Sequence, residues 1–195
     1  MVIYLDTETT GLSPGQICQL SYIMQTKDNV KAKNMFFTVN YVSASAQAVH
    51  GFSASELLKL SNGKKFADYF EEIYNDFQSA SLIVAHNTAF DIMFLRAEFE
   101  NLGKVLPNYN LFCSMKKSTP ICKIARSSGG YKYPKLSELC AFWGVADKDV
   151  NTQCANLFGK EVSFHDARFD CSALYLAINK GFNKADAYNL VKESI

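Results

Sequence analysis

No stretch of this 195-residue chain approaches the apolar length needed to cross a membrane. Its N-terminus also lacks the basic-then-apolar pattern of a secretion signal. Met1 leads straight into an apolar run, so a cytoplasmic, untargeted protein is expected. There is no C-x-x-C pair among Cys18, Cys113, Cys122, Cys140, Cys154 and Cys171, and their gaps are irregular. That argues against a zinc site. Without a secretion signal a disulfide framework is not expected either, and the thiols should be reduced, most of them in the core. Neither sign of charge is in excess: 20 Lys and Arg against 19 Asp and Glu leave +1. A polyanionic partner would therefore need a local basic patch or bound cations. Internal repeats, low-complexity tracts and interdomain linkers are missing as well. What remains is a globular composition, 48% hydrophobic and 20% charged, in a length for which one domain over residues 1–195 is the default.

Val2 to Leu5 is a short apolar run that reads as a buried strand, and Asp6-Thr7-Glu8-Thr9-Thr10-Gly11 follows it. Side chains alternate along a strand, so Asp6 and Glu8 share a face. Neighbouring carboxylates repel unless a cation lies between them. The pair reads as half of an oxygen-ligand metal site at a strand tip, although a solvated polar turn explains this stretch alone equally well.

Ile17 to Thr26 and Val30 to Asn40 read as two further strands, joined by the turn Lys27-Asp28-Asn29 into an antiparallel meander with the first. Ala44 to Val49 is a short helix. Ser53-Ala54-Ser55-Glu56 is a capping box opening a helix to Leu60. Phe66, Phe70, Ile73 and Phe77 recur at helical spacing. Ser81 to Ala85 predicts a second buried strand, parallel to the first. A helix from Ala89 to Leu102, stopped by Gly103, and a weaker strand from Tyr109 to Cys113 follow. Residues 115–135 hold Lys116, Lys117, Lys123, Arg126, Lys132 and Lys135 and no acid; with Ser127-Ser128-Gly129-Gly130 inside, they read as a basic mobile loop. Leu136 to Trp143 is a short helix, and Asp147 to Glu161 is polar and irregular. Helices from Asp166 to Lys180 and from Lys184 to Glu193 close the chain. The order predicts an α/β domain with a mixed sheet, an antiparallel meander plus parallel strands, flanked by helices. Sites in such sheets lie beyond strand carboxyl ends, where Asp6-Thr7-Glu8 and His86-Asn87 both fall.

Two more acids stand in apolar company. Asp91 is surrounded by Ile92, Met93, Phe94 and Leu95 and shares a helix face with Leu95 and Glu98. A charge placed there needs a partner. Asp170 lies one turn inside the helix that Asp166 would cap, beside Cys171 and Leu174, with His165 just outside on the approach.

Asp6 to Gly11, Val84-Ala85-His86-Asn87-Thr88-Ala89-Phe90-Asp91 and His165-Asp166-Ala167-Arg168-Phe169-Asp170 stand in order at sensible spacing. Together they resemble the three motifs of the DEDDh, or DnaQ-like, 3′–5′ exonucleases, the family of the bacterial DNA polymerase III proofreading subunit and RNase T. The resemblance runs from Val2 to Ile178. Ala48-Val49-His50-Gly51-Phe52 is similar to another family segment, in which Ile is more usual than Phe52. The Cys113 to Lys135 stretch is longer and more basic than in the simplest members.

The resemblance implies an RNase H-like fold. It also implies that Asp6, Glu8, Asp91 and Asp170 hold two Mg²⁺ or Mn²⁺ ions, hard cations that prefer oxygen ligands. One ion would activate water and the other would stabilise the departing 3′ oxygen. His165 would take the water's proton. Leu12 would pack on the last base, with Thr9, His50 and Phe90 close by. Asn87 would contact the backbone near the scissile phosphate or cap its helix. The implied activity is metal-dependent 3′–5′ hydrolysis of single-stranded or frayed DNA, releasing nucleoside 5′-monophosphates. An exoribonuclease or oligonucleotide-degrading enzyme is the alternative, and a non-catalytic nucleic-acid-binding module the minor one. The partner is a nucleic-acid 3′ end and no membrane. A DNA polymerase is a further option, but no docking tail follows Ile195, which favours a free-standing enzyme or one domain of a longer chain.

Overall fold

Five strands form one mixed sheet in the computed structural model, which describes residues 1–13 and 15–182. They are β1 (Val2–Thr9), β2 (Ile17–Gln25), β3 (Val30–Phe36), β4 (Leu82–Ala85) and β5 (Asn110–Cys113), in spatial order β3-β2-β1-β4-β5. β1, β2 and β3 pair antiparallel, whereas β4 joins β1 and β5 joins β4 in parallel. This is the predicted meander with parallel strands added, although β3 ends at Phe36 rather than Asn40. The helices are α1 (Ala44–His50), α2 (Ala54–Leu60), α3 (Phe66–Gln78), α4 (Thr88–Asn101), α5 (Ser114–Cys122), α6 (Leu136–Phe142), α7 (Asp147–Phe158) and α8 (Ala167–Gly181). Among the described residues no helix is long and apolar enough to cross a membrane. The predicted helix from Lys184 to Glu193 lies outside the described residues.

β1 runs through the middle of the sheet and is covered on both faces, which is why its apolar run is unbroken. Ile3 and Leu5 join Phe70 and Ile73 of α3 and Phe94 and Leu95 of α4 in the larger core. Val2 and Tyr4 join Ile23 and, from α8, Leu174 and Ile178 on the other face. The same alternation carries on past the apolar run. It turns Asp6 and Glu8 toward α8, and it turns Thr7 toward α4.

Two stretches differ from the expectation. Residues 147–158 are helical, not irregular: Val150 and Cys154, one turn apart, are its buried residues, and so narrow a stripe leaves little periodicity to read. The first part of the basic stretch is α5, a helix that tolerates an internal Pro120. Its buried residues are Ser114 and Ser118, so it carries no apolar signal at all. Lys123 then ends it in the left-handed region, at φ 50°. Beyond it Ala125 bridges Tyr131 antiparallel around the Ser127 to Gly130 turn. All six thiols are free, and Cys18, Cys140, Cys154 and Cys171 are buried.

Candidate active site

The tip of β1 meets the start of α8. Asp6, Glu8 and Asp170 each bring a carboxylate oxygen within 4.8 Å of the others. Strand alternation supplies the first two. The third depends on where α8 begins, and Asp166 fixes that as N-cap by accepting the Arg168 backbone N–H at 3.0 Å. Asp170 is thereby set one turn inside, where its Oδ2 accepts the His165 backbone N–H at 3.1 Å.

Asp91 approaches from α4, on the opposite face. It is buried, and its Oδ1 accepts from the Thr7 hydroxyl at 2.9 Å. It stands outside the tight trio, yet its charge adds to the repulsion felt by both Asp6 and Glu8. The four predicted acids thus meet as three in close contact and one bordering them from across the sheet.

Burial dominates the electrostatics. Desolvation, then Asp170, Asp91, Glu8 and Asp166, hold the Asp6 carboxyl well above the usual range. Glu8 is pushed up to about 9 by desolvation, then by Asp170, Asp166 and Asp91. Burial raises Asp91 to about 7 against its Thr7 hydrogen bond. It raises Asp170 to about 7 against the bond from His165. Asp166 differs: burial works against its charge, yet bonds from Arg168 and Gln19 keep it below the ordinary carboxylate value. A buried set of oxygen donors that resist shared ionisation is the chemistry that a hard divalent cation relieves.

Two cavities flank these acids. One, of about 300 Å³, is lined by Glu8, Thr9, Leu12, Val49, His50 and Phe90 among others. The second, of about 600 Å³, is lined by Asp6, His86, Lys135, Phe164, His165 and Asp170 among others. Four of the expected substrate residues, Thr9, Leu12, His50 and Phe90, therefore share the smaller cavity. Leu12 is 82% exposed there, an apolar side chain open to solvent. His165 is exposed, holds φ 63°, and lines the cavity that Asp6 and Asp170 line. Asn87 is the N-terminal residue before α4, at φ 80°, and among the described residues its side chain makes no cap hydrogen bond.

His50 does more than line a wall. Its Nδ1 accepts the Phe52 backbone N–H at 3.1 Å, and its Nε2 faces the Thr9 carbonyl at 3.2 Å. An accepted bond on one nitrogen and a carbonyl on the other fix the neutral ring with its proton on Nε2. Burial depresses its pKa in the same sense. The imidazole thus anchors the end of β1 as well as closing the smaller cavity.

Two further polar side chains tie together the elements around the site, through partners that were not read from the sequence. Glu98 is buried, and its Oε1 accepts the Ile17 N–H at 2.8 Å, opposite the register shift between Glu8 and Thr9. A carboxylate on the apolar face that carries Asp91 was the available signal. His86 has Nδ1 at 2.8 Å from the Ser114 hydroxyl and donates from Nε2 to the Pro134 carbonyl at 3.0 Å. It ties the β4 end to the segment bearing Lys135, and no local pattern announces that contact.

A mixed five-stranded sheet with helices on both faces is an RNase H-like fold, here with carboxylates clustered at the tip of its central strand. The chain belongs to the exonuclease family, for residues 3–177 match the RNase T family of exonucleases. It is a domain of the DnaQ-like 3′–5′ exonuclease type, as its three motifs implied. It is similar to the DNA polymerase III subunit epsilon of Escherichia coli (strain K12), 30% identical over 153 residues, covering 73% of this chain and 60% of that one. The epsilon subunit of Buchnera aphidicola subsp. Acyrthosiphon pisum is 29% identical over 163 residues, covering 78% of this chain and 65% of that one. The chain thus spans about 60–65% of the length of these relatives. Its fold is similar to the metal-free form of the E. coli ExoI–ssDNA complex, with a TM-score of 0.69 at 13% identity over 98% of this chain and 42% of that chain. The zinc-bound form of that complex gives 0.66 at 16% identity over the same shares.

Proposed function

We propose that this domain removes nucleotides one at a time from the 3′ end of single-stranded or frayed DNA, as a divalent-metal-dependent hydrolase releasing nucleoside 5′-monophosphates. The carrying observation is the trio Asp6, Glu8 and Asp170, with Glu8 lining one cavity and Asp6 and Asp170 a larger second one. Asp6, Glu8, Asp91 and Asp170 would hold Mg²⁺ or Mn²⁺, two ions on the family pattern. When bound, such ions supply Lewis-acid polarisation of the phosphodiester and of water. His165, at the rim, accepts the proton of the attacking water on its ring. Leu12 and Phe90 present apolar surface to the terminal base, a contact that tolerates any base because each has a stacking face. Thr9 and His50 complete that cavity, and Asn87 stands beside the scissile phosphate.

The naming of the relatives as DNA polymerase III epsilon subunits supports DNA over RNA as substrate and a DNA polymerase as partner. The test is digestion of matched 5′-labelled DNA and RNA strands. A descending ladder in Mg²⁺, none in EDTA, and faster loss of DNA are expected. Faster loss of RNA would make the domain an exoribonuclease, and binding without cleavage would leave a non-catalytic module.

Lys135 lines the larger cavity, and Lys116, Lys117, Lys123 and Arg126 lie on the segment leading to it. We assign these cations to upstream phosphates. Each lost contact should lower the salt slope of single-strand binding by about 0.7. Neutralising Lys116, Lys117, Lys123 and Arg126 together should therefore flatten the slope clearly. An unchanged slope would return them to a solvated surface.

A further inference from the structure

We propose that buried Gln19 and Asp166 and half-buried Arg168 form a clamp that aims His165 and Asp170, and that Gln19 and Arg168 are positioning residues for the hydrolysis; the catalytic half of this rests on the exonuclease reading above. Gln19 of β2 lies opposite Glu8, and Ser21 lies opposite Asp6. Asn34 of β3 lies opposite Ser21. Residues directly opposite in a sheet point to the same side. A row of uncharged polar side chains therefore continues the line of the acids, on the face that α8 covers. Gln19 and Ser21 are both fully buried. Apolar residues would be the cheaper filling for such positions, so the row needs a reason.

The hydrogen bonds supply it. Ser21 Oγ donates to Asn34 Oδ1 at 2.7 Å. Gln19 Nε2 donates to Asn34 Oδ1 at 2.8 Å and to Asp166 Oδ1 at 2.9 Å. Gln19 Oε1 accepts the Ala167 N–H at 3.2 Å, so one amide group grips both the cap residue and the first residue of α8. Arg168 closes on Asp166 from the other side, with Nε to Oδ1 at 2.8 Å and a terminal guanidinium nitrogen to Oδ2 at 2.6 Å. That fork fits a carboxylate in one orientation only. The Arg168 guanidinium also rests over the Phe36 ring, 5.5 Å from its centroid.

His165 is the residue immediately before this grip, and Asp170 follows four residues after Asp166. The left-handed His165 backbone is held from both sides: Asp166 is fixed by the clamp, and the His165 N–H is bonded to Asp170. Gln19 is without solvent exposure, so it cannot touch nucleic acid and can act only through the groups it holds. The sheet thereby sets the relation between the acids of β1 and two residues at the start of α8, His165 just before it and Asp170 inside it.

The test compares wild type with Gln19→Met, Arg168→Met and Arg168→Lys. A misplacement near 1 Å is enough to cost about 10²-fold, so kcat should fall roughly 10- to 100-fold in both Met variants while KM stays within about threefold. Arg168→Lys, which retains one charged bond to Asp166, should recover part of kcat. A second readout is independent of activity. The chain has three histidines, His50, His86 and His165, whose ring carbon–proton NMR signals can be followed separately. The His165 signal should shift and broaden in both Met variants while the His86 signal stays in place. If kcat is unchanged, or all three signals move together with a fall in melting temperature, the clamp only supports the fold and the proposal fails. If wild type has no nuclease activity but the His165 signal responds as stated, the exonuclease reading fails and the clamp stands.

Discussion

Replacing Asp170 by asparagine should raise the melting temperature of the metal-free protein at pH 8 by several degrees, abolish exonuclease activity and remove most of the stabilisation that Mg²⁺ gives. In the folded chain the Glu8 carboxyl is raised to about 9, and those of Asp91 and Asp170 to about 7. Their unfolded values lie near 4. Between the two values the folded state keeps protons that the unfolded chain has released, so stability falls as pH rises. For these three groups the fall begins near pH 4 and ends once Glu8 is ionised, above about pH 9; Asp6, also raised, acts in the same direction. At pH 8 without metal, Asp170 carries a buried charge among other carboxylates, and asparagine removes it while keeping an oxygen for the His165 N–H. For a chain of this size about 1 kcal/mol moves the melting temperature by roughly 2–4 °C. Mg²⁺ should raise the wild-type melting temperature at pH 8 by mass action, and much less at pH 5, where protons occupy the oxygens. Thermal scans in EDTA and in Mg²⁺ at both pH values check this. A lower melting temperature for Asp170→Asn in EDTA at pH 8, or an intact Mg²⁺ response, would contradict the assignment of Asp170 to the cation site.

What could be read in advance was local. Asp6 and Glu8 declare themselves by period-two spacing at the end of an apolar run, and Asp166 by its place before an amphipathic helix. What could not be read is set by partners distant in the chain. Alternation says that Thr7 turns away from Asp6 and Glu8, but only the packing of α4 shows that Asp91 waits there. Gln19 and Ser21 look like ordinary polar interruptions of a strand until the register places them beside Glu8 and Asp6. α5 and α7 escaped for another reason: serines and a two-residue stripe carry too little hydrophobic contrast to mark a helix. The site was thus legible from local pattern where one element defines it, and only through the resemblance of the three motifs where elements from opposite faces of the sheet must meet.

His165 is where that division matters most, because its role depends on both its ring and its backbone. In His165→Ala turnover should fall by about 10²- to 10⁴-fold, the usual contribution of a general base. The Mg²⁺-dependent rise in melting temperature should persist, since all four carboxylates remain. Alanine alone would not separate chemistry from conformation, because His165 holds φ 63° and a new residue there could let the approach to α8 relax. Asparagine tolerates the left-handed region better than most residues and brings no base. His165→Asn should therefore keep the local geometry and be as slow as His165→Ala. Recovery of turnover in the asparagine variant would show that the backbone, not the imidazole, matters. Full turnover in both variants would remove His165 from the reaction. Loss of the Mg²⁺ response in both would mean that the N–H of residue 165 on Asp170, at 3.1 Å in the wild type, governs the cation site, and the proton-transfer role would have to be sought elsewhere in the larger cavity.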